Sequence, residues 1–131
     1  MKRAFYLTAL AVIIVGFTLS AQEKEVAWPE MDAFHTVMSQ TWHPVEDGNY
    51  QPIRERADEL AEVAETWRKS TIPAEYQAQK DIKKKLKELA KETKELAKEI
   101  KAGSSDEDIK EDLQELHDLF HAIVGLCTDE H

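Results

Sequence analysis

At 131 residues, with one cysteine and four glycines, the chain has room for one compact core and cannot form an internal disulfide. Its 26 acidic side chains against 17 basic ones give a formal net charge of −9. Such a surface repels nucleic acid and anionic lipid and weakly concentrates cations, so neither nucleic-acid binding nor electrostatic membrane docking is expected.

Residues 1–21 read as a secretory leader: Lys2 and Arg3 form a charged start, Ala4 to Leu19 a largely apolar run, and Ser20-Ala21 a small-residue exit. The run is 16 residues, short of the ~20 that a membrane-spanning helix needs. Export followed by cleavage is therefore expected. It leaves residues 22–131 as one periplasmic or secreted domain without stable membrane insertion, carrying 15 basic and 26 acidic side chains. In an oxidising compartment the single Cys127 is buried, a metal ligand, or free for intermolecular pairing, which keeps a homodimer open.

Four helical segments follow. In the first, from about Glu25 to Trp42, Trp28, Met31, His35, Met38 and Trp42 recur at three- and four-residue steps, with Phe34 alongside. His43-Pro44 is expected to close it, because a residue before proline is pushed out of the helical region. Val45 to Asn49 is turn chemistry, with Asp47 or Asn49 as a cap. The second segment, about Tyr50 to Lys69, carries the stripe Ile53, Ala57, Leu60, Ala64 and Trp67, with Pro52 in its first turn.

Ser70 to Pro73 breaks the second segment, and the third is expected from about Ala74 to Lys101. Ile82, Leu86, Leu89, Thr93, Leu96 and Ile100 keep heptad spacing there, and the Lys/Glu-rich remainder reads as a solvated face. Gly103 suits a helix end, and Ser104-Ser105 with Asp106, Glu107 and Asp108 suits the next helix start. The fourth segment turns Ile109, Leu113, Leu116, Phe120, Ile123 and Cys127 inward and ends near Cys127. Short connections between four such segments imply an all-α, antiparallel up-down-up-down four-helix bundle. Trp28, Trp42 and Trp67 are its expected core anchors.

The chemistry concentrates in histidines. His117 and His121 stand one helical turn apart, ~6 Å along the axis, within reach of one ion. The stretch around them, Asp118-Leu119-Phe120-His121-Ala122-Ile123, shares the pattern Asp-x-Phe-His-x-(Val/Ile) with Asp32-Ala33-Phe34-His35-Thr36-Val37. Two like helices packed antiparallel are related by a local two-fold axis, so equivalent residues gather at the crossing. That places Met31 opposite His117 and His35 opposite His121, a site of His35, His117, His121 and Met31, with Asp32 and Asp118 as orienting carboxylates.

Three imidazoles and a thioether suit copper, with zinc, nickel or cobalt as further candidates. A Glu-x-x-His repeat, the mark of a di-iron carboxylate bundle, is absent. His43 reads as a helix-end cation rather than a ligand. No Ser/His/Asp arrangement, glycine-rich phosphate loop or activated cysteine is present, so a binding protein is expected rather than an enzyme.

A domain of this size with methionine on the first helix and histidine late on the fourth resembles the periplasmic cytochrome c-prime and soluble b-type cytochrome group. Leu113-Gln114-Glu115-Leu116-His117 lacks the two cysteines of the covalent haem motif, which excludes covalent attachment. The resemblance still implies non-covalent haem b as an alternative cofactor, held by Met31 or Met38 with His117 or His121, and electron transfer as the function. The duplicated histidine motif belongs to neither branch and favours a bare transition-metal ion, bound for sequestration, delivery or sensing. A metal-free interaction or chaperone module is the third reading.

Overall fold

The structure, a computed structural model, describes residues 26–128; the expected leader and His131 lie outside them. Four helices account for the architecture: α1 Pro29–Glu46, α2 Gln51–Lys69, α3 Gln79–Lys101 and α4 Asp106–Thr128. No strand occurs among the described residues, and no helix there is long and apolar enough to cross a membrane. Each helix packs on its neighbours in the chain, and α4 returns to α1 along the sparsest of the four seams.

Ring pairs fix the direction of that last seam. His35 stacks on Phe120 and Trp42 on His117, so residue numbers rise on α1 as they fall on α4. At the other end of the sequence path, Lys101 Nζ meets Asp58 Oδ1 at 3.0 Å, and an Arg54 guanidinium nitrogen donates to Asp106 Oδ1 at 2.7 Å. These pin the first half of α2 to the α3–α4 turn. The antiparallel four-helix bundle follows.

The core is the one that apolar spacing predicts. Trp28, Trp42 and Trp67 are buried, as are Ile53, Leu60, Ile82, Leu86, Leu89, Ile109, Leu113, Leu116 and Ile123. Trp28, Phe34, Trp67 and Phe120 form one aromatic cluster, with centroids 5.5 Å apart for Trp28–Trp67, 5.3 Å for Phe34–Trp67 and 5.7 Å for Phe34–Phe120. The Trp28 indole N–H donates to Ser70 Oγ at 2.9 Å, so a ring 2% exposed keeps its polar edge satisfied. Thr41 and Thr93 are also buried. Their hydroxyls donate back to Val37 O at 2.9 Å and Leu89 O at 3.0 Å, which removes the cost of an unpaired polar group.

Two helix limits differ from expectation, each for a local reason. α1 does not stop before Pro44 but runs through it to Glu46. Proline removes one helical hydrogen bond, and here that loss falls in the last turn, where burial of Val45 to 1% exposure opposes it. Asn49 N then donates to Pro44 O at 2.8 Å, and Gly48, at a φ of 80°, takes the left-handed conformation that ends the turn.

α3 starts at Gln79 rather than near Ala74. Tyr76 is drawn against Trp28, centroids 5.9 Å apart, and the Gln79 side-chain amide donates to Pro73 O at 2.8 Å and Tyr76 O at 2.7 Å. Those contacts hold 71–78 as a folded connection. α4 begins as its sequence foretells: Ser105 Oγ accepts from Asp108 N at 3.2 Å, behind Gly103 at a φ of 93°.

Candidate functional site

On α4, the apolar stripe Leu113, Leu116, Phe120 and Ile123 is turned into the core, and this sets the two histidines on its α1-facing flank. His117 Nε2 and His121 Nε2 lie 3.2 Å apart, with ring centroids separated by 4.4 Å and planes inclined at 77°. At that distance the nitrogens share one proton, one ring donating and the other accepting.

Trp42 lies over one face of His117, centroids 5.3 Å apart and planes 25° from parallel. His121 leans edge-on against Phe120, at 5.5 Å. His121 is exposed, whereas the His117 side chain keeps 27% of its surface.

Burial under Trp42 and the neighbouring α4 turns governs the acid–base behaviour of His117. Desolvation pushes its pKa below the usual imidazole value, and the charge of a protonated His121 pushes the same way. Asp118, Glu46 and His43 act on it too, the carboxylates opposing the shift and His43 adding to it. His117 Nδ1 is buried without a hydrogen-bond partner; Asp118 Oδ1 stands 3.9 Å away, close enough for charge attraction but beyond hydrogen-bond range. Burial therefore disfavours the protonated form of His117, and the close approach of the two Nε2 atoms needs one ring to present an N–H and the other a lone pair.

The register places the other two expected ligands differently. His35 is level with Phe120, where the mirrored motif puts it opposite His121. Its ring stacks on Phe120, centroids 5.0 Å apart and planes 16° from parallel, instead of turning to His121.

Met31 is not opposite His117. Trp42 occupies that place, and Met31 lies eleven residues earlier, about 16 Å along the helix axis, half-buried against the core. The contact nearest to the expected pairing is that of His35 with Phe120, next to His121 in sequence. Antiparallel packing then carries Met31 away from His117 as fast as it brings Trp42 toward it.

Among the described residues no three His, Cys, Asp or Glu side chains form a group able to hold a metal ion. His43 is exposed at the end of α1, its Nδ1 3.0 Å from Glu46 Oε2. Burial pushes the Cys127 thiol up to about 11, so it stays protonated and is a poor ligand and nucleophile at neutral pH. No protein family, curated protein or solved structure matches the chain.

Sequence reasoning missed Trp42 as the cover of His117. Trp42 reads from spacing as a core anchor and His117 as half of the histidine pair, but only the register of α1 against α4 shows that they meet. It also missed the acidic seam between α3 and α4. Glu92 of the expected solvated face is half-buried there, and desolvation, then the charges of Glu88 and Glu115, raises its pKa. Beside it, a hydrogen bond to Asp112 raises the pKa of Glu99.

Proposed function

We propose that this four-helix bundle binds a transition-metal ion through His117 and His121, as an exported protein of metal sequestration, delivery or sensing. The observation that carries the reading is the 3.2 Å separation of the two Nε2 atoms. Two imidazoles bound tetrahedrally to one zinc at 2.0–2.1 Å stand ~3.3 Å apart, so the pair already has the bite of one ion. Both rings are held near that geometry by large neighbours, Trp42 for His117 and Phe120 for His121, which limits the conformational freedom lost on binding. The lowered pKa of His117 supports the same reading, since a ligating imidazole must be neutral.

Zinc and copper are the ions of choice for imidazole donors. With Met31 three turns from His117, the thioether no longer tips the choice toward copper.

The test is thermal unfolding of metal-stripped protein with added zinc or copper. An ion bound only by the folded form at 100 times its dissociation constant stabilises by ~2.7 kcal/mol. For a domain of this size that is roughly a 10–20 °C rise in Tm. His121→Ala should remove the rise, since the single imidazole left, the partly covered His117, is too weak a site alone. A rise that persists in His121→Ala refutes the reading. An intense Soret band in natively exported protein would instead establish the haem alternative.

A further inference from the structure

We propose that the His117/His121 pair is half of a ligand set, and that a second copy of this chain supplies the other half. A zinc ion would then join two bundles α4 to α4. The inference rests on the metal-binding reading above and adds what completes the site.

Zinc in a closed protein site takes four ligands, and this chain offers two that converge. Among the described residues no third His, Cys, Asp or Glu joins the pair in a group able to hold an ion. His35 is stacked on Phe120, His43 is paired with Glu46, and the Cys127 thiol is half-buried among apolar neighbours. The pair is open on the side that matters. Trp42 closes one face of His117, but His121 is exposed, so an ion seated on the two Nε2 atoms keeps its remaining positions outside the bundle.

The surface beyond the pair is low. Gly125, one turn after His121 on the same face, has room for a side chain without touching anything within 4 Å. A neighbouring helix therefore meets no bulk there.

Symmetry makes the second copy the natural source of the missing donors. A two-fold axis through the ion turns one His117/His121 pair into two, four imidazoles in all, with the same patch used on both sides. No second chemistry has to be invented. Charge explains why the association would need the ion: each chain carries a formal −9, so two bundles repel until a cation sits between them.

The experiment uses the purified full chain, stripped with a chelator and then titrated with zinc chloride. Mass is followed by sedimentation equilibrium and stoichiometry by calorimetry. The expected result is a monomer without zinc, a doubled mass that saturates at one zinc per two chains, and return to monomer on adding chelator. His121→Ala should stay monomeric at every zinc concentration while keeping its helical circular dichroism. His35→Ala and His43→Ala should dimerise like the parent.

Uptake of one zinc per chain at unchanged mass overturns this inference and leaves the ion-binding reading standing. No zinc uptake at all overturns both. Loss of the dimer in His35→Ala or His43→Ala also overturns it, because the bridging set would then not be the four imidazoles of two His117/His121 pairs.

Discussion

Replacing Trp42 by leucine tests the joint between core and site. The indole is 4% exposed and stacks on His117 at 5.3 Å. A buried tryptophan removes up to ~250 Å² from water, worth about 6 kcal/mol at ~25 cal/mol per Å². Leucine in its place recovers about 3 kcal/mol of that, and the lost ring stacking adds roughly 1 kcal/mol to the deficit. The net loss should be about 4 kcal/mol if the space left behind collapses, and more if a cavity persists.

That is a large share of the ~5–15 kcal/mol that holds a domain together, yet it leaves the folded state populated. Urea denaturation followed by circular dichroism measures it, as a lower midpoint at unchanged slope. The same substitution uncovers His117. Since desolvation is the main cause of its depressed pKa, the value should climb back toward ordinary imidazole in an NMR titration of the C2 proton. A loss under ~1 kcal/mol together with an unmoved His117 titration would refute the packing of α1 on α4 described above.

Two further expectations come from other parts of the bundle. Glu92→Gln should stabilise at pH 7 by about 0.5 kcal/mol in the same denaturation assay. The folded-state pKa of Glu92 is raised, so the stability it contributes is full below the unfolded carboxylate value and lost as pH rises through the folded one. The advantage of glutamine should accordingly shrink toward pH 4. Cys127, with its thiol pushed up from 9.0 to about 11, should react with iodoacetamide at pH 8 roughly 100-fold more slowly than in urea-unfolded protein; equal rates would show the thiol to be free of the core.

The bundle was legible because periodicity carries most of the information. Ile82, Leu86, Leu89, Thr93 and Leu96 are all buried where the heptad places them, and the Ser105 cap and Gly103 end appear as written. What escaped was decided by contacts distant in sequence. Pro44 stays helical because Val45 finds the core, and 71–78 stays out of α3 because Tyr76 finds Trp28.

The histidine pair needed only helical spacing and was visible. Its neighbours needed the α1–α4 register, which aromatic packing sets and no local pattern encodes. The mirrored motif put His35 opposite His121, and the ring contact found there is with Phe120, the residue before it. It could not say that the His35 ring would rest on Phe120.

The seam between α1 and α4 joins the first and last helices of the bundle, whereas every other seam joins consecutive ones. Three quarters of the architecture can thus form as local hairpins, with little loop-closure entropy to overcome, and the bundle should fold fast. The last closure is the one long-range step, made along the thinnest contact. It is also where opening should begin, so amides on the flanks of α1 and α4 should exchange with solvent before those of α2 and α3. A ligand held on that flank would sit beside the hinge of the whole barrel of helices, sensing each time it parts.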